Sequence, residues 1–287
     1  MKKAATIGFF DGVHRGHRFL LRSLLDLSAE HCLEPLVVTF RQHPAQVLRA
    51  DSQPLLLNYL QERVDRIKAV GIKQVEVLDF VTIQKLTAKE FMQQLIDNGV
   101  ELLLMGYDHR FGSDLLSSHE QYQNLATKVG LRIEFIDEYK QIGQHISSTE
   151  IRRLISQGNI SQANDLLGYN YCLEGKVVSG NHVGRTIGFP TANIQTDPIK
   201  LIPKAGVYYA VANYNDKNYK TLLNIGNNPT INGQKQTIEA HLLDFDKDIY
   251  GKNIKLQIVE RLRDEIKFDS LEQLREQILK DKQRISK

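Results

Sequence analysis

The sequence has few cysteines and no long apolar run, and each shortage excludes a class of protein. Only two of its 287 residues are cysteines, Cys32 and Cys172, and they lie far apart. That spacing provides neither a disulfide framework nor a zinc site, and it fits a reducing compartment. No apolar run approaches the roughly 20 residues that span a bilayer, and no apolar signal region follows Met1. These features predict a cytoplasmic protein without a membrane partner.

The net positive charge is also small for a protein of this length. The net charge is +3, with 19 basic and 20 acidic residues up to Gly168 and 18 basic and 14 acidic residues after it. Neither half has the dense basic face with which a protein displaces counterions from a nucleic acid. We therefore expect no nucleic-acid partner. Hydrophobic residues make up 41% of the chain, which is typical of globular proteins.

The length suits two domains, and the sequence pattern changes after Gly168. Before that residue, apolar runs alternate with amphipathic stretches such as Arg18–Leu27 and Thr87–Asn98, the second of which opens with a capping box. This alternation predicts a parallel sheet covered by helices on both faces. The predicted strands are Ala4–Phe9, Leu36–Phe40, Val75–Leu78, Leu102–Met105 and Ile133–Ile136.

The remainder of the chain reads as short strands separated by turn signals, which predicts a small antiparallel β-barrel. A helix closes the chain from a capping box at Ser270 and Gln273, and we expect its apolar stripe to pack on the barrel and to have no other task. The sequence thus predicts an α/β protein with domains 1–168 and 169–287. The predicted barrel strands are Tyr171–Ser179, Val207–Tyr214, Lys220–Ile225, Ile238–Leu243 and Ile254–Leu262.

Residues 8–17 form a glycine-rich turn between the first strand and the first helix. Open α/β sheets bind ligands at this end of their strands, and a helix N-terminus offers free N–H groups to an anion. Gly12 and Gly16 let the backbone approach a ligand. His14 and His17 are spaced to share one side of a helical turn, where they could donate hydrogen bonds to phosphate oxygens. The pattern indicates a phosphate-binding site, although a turn with two surface histidines is the alternative.

The same stretch, Gly-x-Phe-Asp-Gly-x-His-x-Gly-His, resembles the signature of the FAD synthetase branch of the HIGH-type nucleotidyltransferases. The resemblance implies a Rossmann-like domain that transfers an adenylyl group from ATP and releases pyrophosphate. Two later segments resemble that family in the right order: residues 106–112 match its Gly-x-Asp/Asn-x-x-Phe-Gly motif, and residues 146–152 match Ile-Ser-Ser-Thr-x-Ile-Arg. His43 matches a position near the flavin phosphate.

By this resemblance, His14, His17 and Arg152 are catalytic, with Arg152 assigned to the leaving pyrophosphate. The ATP-binding positions are Gly8, Phe10, Asp11, His14, Gly16, His17, Gly106, Asp108, Phe111, Ser147, Ser148, Thr149 and Arg152.

Two departures from the family pattern remove charge. Residues 113–118 lack the usual basic and glycine residues, and Asn159 follows Gly158 where many members have aspartate. These changes leave open an alternative in which the first domain is a weak enzyme or mainly binds ATP and FMN.

Residues 180–186 superficially resemble a P-loop, but the segment is one residue short, has Arg185 in place of lysine and lies in the barrel half. The longer run Gly184–Asn193 closely resembles the Gly-Arg-x-x-Gly-Phe-Pro-Thr-Ala-Asn signature of riboflavin kinase. Thr191 and Asn193 offer oxygen ligands of the kind that Mg²⁺ prefers. The ATP-binding positions in this run are Gly184, Arg185, Gly188, Pro190, Thr191 and Asn193.

Downstream, residues 206–208, 224–230, 239–245 and 263–268 match the riboflavin kinase family in order. By this resemblance Glu239 is the general base that accepts the proton of the attacking hydroxyl, and Arg263 lies near the flavin.

The resemblances span nearly the whole chain in the order of a bifunctional riboflavin kinase/FAD synthetase. They imply that riboflavin is phosphorylated to FMN and that FMN is adenylylated to FAD, with ATP as a substrate of both steps and Mg²⁺ as cofactor. We expect a monomer or weak self-association. A flavin-responsive regulator that binds nucleic acid is a further alternative, which the near-neutral halves disfavour.

Overall fold

The computed structural model describes residues 2–49, 53–139, 146–180, 184, 187–230 and 233–286. It divides the chain into two compact units, Met1–Ser148 and Thr149–Lys287. Within the described ranges, no helix is both long enough and apolar enough to cross a membrane.

The first unit is built on a five-stranded parallel sheet with the order β3-β2-β1-β4-β5. The strands β1, β2 and β4 are almost entirely buried, as expected of a sheet covered on both faces. The elements are β1 (Lys3–Ile7), α1 (Arg15–Glu30), β2 (Glu34–Phe40), α2 (Pro44–Leu48), α3 (Leu60–Ala69), β3 (Gln74–Leu78), α4 (Phe80–Ile83), α5 (Ala88–Asp97), β4 (Val100–Gly106), α6 (His119–Val129) and β5 (Arg132–Ile136).

The strand order places the ligand-binding crevice of this unit. From β1 the chain winds outward through β2 to β3 and then returns to β4 on the other side of β1. Ligands of open α/β sheets bind at such a reversal, beyond the carboxyl ends of the two central strands. The loop after β1 and the loop after β4 therefore share one edge of the sheet, and these loops carry two of the three predicted nucleotidyltransferase segments.

The second unit contains two helices followed by a closed barrel with the strand order β10-β7-β6-β11-β8-β9, all pairs antiparallel. The predicted fold class is confirmed, although the short strand β7 was not predicted. The elements are α7 (Ser148–Gln157), α8 (Ile160–Leu167), β6 (Tyr171–Val178), β7 (Ala192–Gln195), β8 (Gly206–Tyr214), β9 (Lys217–Thr230), β10 (Gly233–Leu242), β11 (Asn253–Arg263) and α9 (Leu271–Ser286).

Helix α8 is fastened to the barrel by one side chain. The amide nitrogen of Asn164 donates to the carbonyl oxygens of Ile258 and Val259 at 3.0 and 3.2 Å, and its oxygen accepts from the N–H of Tyr171 at 2.7 Å. These bonds explain why α8 belongs to the second compact unit, although the sequence pattern grouped it with the first half. The predicted boundary after Gly168 divides the chain by function and not by compactness. The functional domains 1–168 and 169–287 stay a prediction.

Candidate active sites

The loop after β1 has an unusual backbone. Phe10, Gly12 and Val13 all have positive φ, at 55°, 81° and 38°. Only glycine adopts such angles without steric cost, and two non-glycine residues there store strain of about 1–3 kcal/mol each. The buried side chains of Phe10 and Val13 hold the loop in this shape from within the core. Strain that packing enforces is common at ligand-binding loops, and it agrees with the predicted role of this segment.

His14 and His17 stack face to face, with 3.6 Å between ring centroids. His14 is the N-cap of α1, and its Nδ1 accepts from the backbone N–H of His17 at 3.3 Å. Because Nδ1 is the acceptor, the neutral ring carries its proton on Nε2. Burial, then the charges of His14 and Arg63, hold the pKa of His17 well below its usual value. The His17 ring is therefore a neutral hydrogen-bond donor near pH 7.

Asp11, a predicted ATP-binding residue, forms hydrogen bonds that connect the loop to neighbouring segments. Its carboxylate accepts from the backbone N–H groups of Leu57 and Asn58 at 3.0–3.1 Å, and its carbonyl oxygen accepts from the hydroxyl of Ser148 at 2.8 Å. The side chain is 2% exposed. Asp11 thus ties the loop both to the segment before α3 and to the predicted Ser-Ser-Thr motif. Its contact with ATP stays a prediction.

Arg63 lies next to this loop, although it belongs to none of the sequence motifs. Arg63 is completely buried in α3, and its Nη2 donates to the carbonyl oxygen of Phe40 at 2.5 Å. Its guanidinium carbon lies 4.0 Å from the centre of the Phe9 ring. Burial lowers the pKa of Arg63 to about 10, with Asp11 acting in the opposite direction. An arginine on an amphipathic helix is normally expected at the surface, so no local sequence pattern predicts that Arg63 is buried.

The loop after β4 carries the second predicted motif, with Gly106 and Asp108 at the crevice edge of the sheet. The ring of Phe111 packs against Phe91 and Tyr122, and this packing accounts for the phenylalanine without a ligand. In the same loop, burial lowers the pKa of His109 to about 4, which keeps the ring neutral. Nucleotide binding by Gly106, Asp108 and Phe111 stays a prediction.

The segment that departs from the family pattern has a structural task. The Asp114 carboxylate accepts from the N–H of Ala88 at the start of α5 at 2.8 Å, and the hydroxyl of Ser113 donates to the carbonyl oxygen of Lys85 at 2.9 Å. Ser118 is the N-cap of α6. These hydrogen bonds connect the start of α5 to the start of α6 and fix the loop between them. They account for the residue types at these positions without a ligand.

The remaining predicted residues of the adenylyl-transfer site lie at helix starts. His43 caps α2, and its Nδ1 accepts from the N–H of Ala45 at 3.1 Å while its ring packs edge-on against Phe9. Ser148 opens α7. Thr149 and Arg152 follow in that helix and belong to the second compact unit. The roles of Ser147, Thr149 and Arg152 stay predictions.

In the barrel, one row of cross-strand neighbours builds the second site. Asn193 on β7 is paired with Glu239 on β10, and Glu239 is paired with Asn224 on β9. Asn224 is paired with Val207 on β8, which is paired with Arg263 on β11. Directly opposed residues in a sheet point to the same face, so the row places the predicted base, metal ligand and flavin residue together. Sequence reasoning did not assign a role to Asn224.

The riboflavin kinase signature leads into this row. A Cβ at Gly184 would collide with the carbonyl oxygen of Phe189, and Gly188 has φ +84°, so both positions require glycine. The carbonyl oxygen of Pro190 lies 2.8 Å from Nδ1 of His241. Since a carbonyl only accepts, His241 carries its proton on Nδ1 and leaves Nε2 as an acceptor. The predicted ATP-binding residue Arg185 lies outside the described residues.

Two cavities meet at Thr191 in this unit. A cavity of about 350 Å³ is lined by Glu239, His241 and Arg263 together with apolar residues that include Phe189 and Leu222. A neighbouring cavity of about 290 Å³ runs from Thr191 to the loop 245–250. Burial raises the pKa of Glu239, so its carboxylate is a stronger base than a solvated glutamate. The larger cavity therefore joins an apolar surface to a basic carboxylate.

The closing helix corrects one expectation. Ile278 packs on the barrel as predicted, but Leu274 and Ile278 also line the larger cavity, so the helix is part of the site wall. Arg263 donates through Nε and Nη2 to the carboxylate of Asp281 on this helix at 2.8–3.3 Å. That ion pair fixes α9 to β11 next to the cavity. Flavin binding by Arg263 stays a prediction.

The fold and these sites together define a class: a Rossmann-like nucleotidyltransferase unit joined to a kinase barrel. Comparison with known proteins agrees. The family described as FAD synthetase matches residues 1–150, and the family described as riboflavin kinase matches residues 167–287.

Curated relatives match both halves in one chain. The bifunctional riboflavin kinase/FMN adenylyltransferase of Escherichia coli strain K12 is 35% identical over 96% of this chain and 89% of its own length. The protein of the same name from Bacillus subtilis is 34% identical over 98% of this chain and 91% of its own. The chain belongs to the bifunctional riboflavin kinase/FMN adenylyltransferase family.

A solved structure shares the whole architecture. The crystal structure of a protein described as a macrolide-efflux protein from Streptococcus pneumoniae is 31% identical, covers 99% of this chain and 94% of its own, and has a TM-score of 0.93. Its description differs in kind from those of the curated relatives. The comparison with it supports the fold.

Proposed function

We propose that this protein makes FMN from riboflavin and FAD from FMN, with ATP as the phosphoryl donor of the first step and the adenylyl donor of the second. The barrel domain, residues 169–287, carries the kinase, and residues 1–168 carry the adenylyltransferase. The observation that carries the kinase assignment is the row of paired strand residues that sets Glu239 beside Asn193 and Asn224 at the wall of a largely apolar cavity.

In the kinase step the 5′-hydroxyl oxygen of riboflavin attacks the γ-phosphorus of ATP. The bond between that phosphorus and the β–γ bridging oxygen breaks, and ADP leaves. The carboxylate of Glu239 accepts the hydroxyl proton, a task for which its raised pKa suits it. The acceptor Nε2 of His241 lies two residues along the same face of β10 and can help to orient the hydroxyl.

The two cavities suit the two substrates of this step. The larger, more apolar cavity under α9 fits the flavin ring, and Phe189 and Leu222 supply flat or branched apolar surface there. The smaller cavity along Pro190 and Thr191 fits ATP, with Lys247 at its far side. The reacting groups would then meet at Thr191, which lines both cavities and lies close to Glu239.

Mg²⁺ suits the donors at this point. Thr191 supplies a hydroxyl oxygen and Asn193 an amide oxygen, which are hard ligands of the type that Mg²⁺ takes alongside phosphate oxygens. A Cβ at Gly180 would collide with the Asn193 side chain, so glycine leaves room for that amide. Thr191 and Asn193 would hold the ion, and the ion would offset negative charge on the transferred phosphoryl group. Within the described part of the chain, no three His, Cys, Asp or Glu side chains form a cluster suited to a metal.

In the adenylyl-transfer step an oxygen of the FMN phosphate attacks the α-phosphorus of ATP, and pyrophosphate leaves. His14 and His17 would stabilise the charge that develops on the phosphates, because preorganised donors act strongly in a site from which water is excluded. Their stacking at 3.6 Å fixes both rings in advance. Arg152 and the Ser147–Thr149 segment would bind the leaving pyrophosphate, and His43 would bind FMN.

The location, oligomeric state and partners of the enzyme are also proposals. We infer a cytoplasmic protein, a monomer or weakly self-associating, that works without nucleic acid or membrane. The family membership supports riboflavin, FMN, FAD and ATP as its small-molecule partners.

The test is to incubate the purified protein with ATP and Mg²⁺ and either riboflavin or FMN, and to separate the flavins. Riboflavin should yield FMN and then FAD, and supplied FMN should yield FAD with one pyrophosphate per turnover. FMN accumulation without FAD would remove the adenylyltransferase assignment and leave a kinase with an ATP- and FMN-binding domain. Absence of both products would remove the proposal entirely.

A further inference from the structure

The buried guanidinium of Arg63 has hydrogen-bond capacity that the protein does not use. Nη2 donates to the carbonyl oxygen of Phe40, but Nε and Nη1 have no hydrogen-bond partner among the residues that the structure describes. The side chain is 0% exposed, so bulk water does not reach it in this conformation. Leaving donors of a buried charged group unsatisfied is expensive, by more than about 1–3 kcal/mol.

The positive charge is also uncompensated by a direct partner. Within the described ranges no carboxylate forms an ion pair with Arg63. Asp11 acts on its pKa through space, but both oxygens of the Asp11 carboxylate accept from the backbone of Leu57 and Asn58. A buried cation that lacks a bonded anion creates a positive potential around itself, because the protein interior screens charge poorly.

That potential acts on the loop after β1. The guanidinium stacks on Phe9 at 4.0 Å, and its charge helps to lower the pKa of His17. Phe9 also contacts His43, the predicted FMN residue, at 4.6 Å between ring centroids. Arg63 therefore packs against Phe9. Phe9 also contacts His43 and belongs to the loop that leads to the His14–His17 pair.

We propose that Arg63 is a positioning residue for adenylyl transfer. It holds Phe9 in place, and its positive charge favours binding of the ATP phosphates to residues 8–17. The proposal rests on the adenylyltransferase function proposed above. A packing role alone does not account for the charge, because a neutral side chain of similar length would fill the same volume without the desolvation cost.

The first experiment separates charge from packing with two variants, Arg63→Lys and Arg63→Met. Neither variant keeps the guanidinium over the Phe9 ring, but only lysine keeps the charge. The matched control is Lys68→Met, which removes a positive charge from an exposed position on the same helix. We expect kcat/KM for ATP in FAD formation to fall at least about tenfold in Arg63→Met and less than about threefold in Arg63→Lys, with no change in the control.

FMN formation from riboflavin in the same samples reports on the second unit and should be unchanged in all variants. Circular dichroism establishes that the first unit is folded. Equal losses in Arg63→Lys and Arg63→Met would overturn the proposal, since the charge would then have no role. Activity of Arg63→Met close to wild type would overturn it as well.

A second measurement does not depend on the folding of Arg63→Met. Inorganic pyrophosphate, titrated by calorimetry into the wild-type protein and Arg63→Lys, should bind both within about a threefold range, because both carry the charge. Binding to Arg63→Lys more than about tenfold weaker would contradict the proposal. Failure of the proposed function looks different: the wild-type protein would form no FAD from FMN and ATP, whereas the pyrophosphate titration would still decide the role of Arg63.

Discussion

The two candidate active sites are built in opposite ways. The first lies on loops at the edge of a parallel sheet, and its geometry depends on helix caps, strained backbone and buried anchors such as Asp11. The second lies on a barrel face, where hydrogen-bonded strand pairing fixes Asn193, Glu239 and Asn224 directly. A loop needs supporting side chains to hold a shape, whereas a strand ladder holds its neighbours through the backbone. We therefore expect substitutions remote from substrate to disturb the first site more than the second.

The largest expected effect is in the strand-built site. Glu239→Gln keeps the shape of the side chain but removes the proton acceptor. FMN formation should fall by about 10²–10⁴-fold, as for loss of a general base, while FAD formation from supplied FMN stays normal. Flavin separation after both assays measures this. The exposed Glu272→Gln on α9 is the control, and near-normal FMN formation by Glu239→Gln would show that another group accepts the proton.

The next effect concerns the loop-built site. His14→Asn keeps an N-cap residue for α1 but removes the imidazole donor. FAD formation should fall about 10²–10³-fold, the range seen when one preorganised donor is lost, and FMN formation should not change. His31→Asn, a histidine at the other end of the same helix, is the matched control. An equal loss in both histidine variants would indicate damage to the helix in place of lost catalysis.

Asp11→Asn tests whether the loop depends on its anchors. The neutral amide weakens bonds to two buried N–H groups, so the first unit should lose about 1.5–3 kcal/mol of stability, and FAD formation should weaken with it. Urea unfolding followed by circular dichroism measures the change. Since the barrel lacks this anchor, FMN formation should persist to the same urea concentration as in the wild-type protein. Unchanged unfolding would mean that the loop does not need the carboxylate.

The smallest effect is a difference between the pH profiles of the two reactions. Glu239 must be deprotonated to accept a proton, and burial raises its pKa, so FMN formation should decline as pH falls through a value above that of an ordinary glutamate. His17 stays neutral well below its usual pKa, so its protonation should not limit FAD formation near pH 6.5. Initial rates of each reaction between pH 5 and 8 test this. A loss of FAD formation with a midpoint near 6.5 that His17→Asn abolishes would contradict the assignment.

Much of the fold could be predicted from local patterns. Alternating apolar runs and amphipathic stretches gave the parallel sheet, and the capping box at Thr87 and Glu90 is present at the start of α5. The strand β7 was missed because Ala192–Gln195 is only four residues long and two of the four are polar. Helix α9 was expected to have no task beyond packing, since an apolar stripe does not reveal that part of it borders a cavity.

The sequence by itself determined the family, the order of the two activities along the chain and the motif segments. These motifs can be recognised because their glycines, their histidines and the Gly-Phe-Pro-Thr run lie close together in the sequence. Only the tertiary structure decided which distant residues share a site. It placed the buried Arg63 beneath Phe9, joined Asp11 to the backbone of Leu57 and Asn58, and aligned Asn193, Glu239 and Asn224 across three strands. Burial, strand register and the strength of a buried charge depend on contacts between segments far apart in the chain, and no local pattern records those contacts.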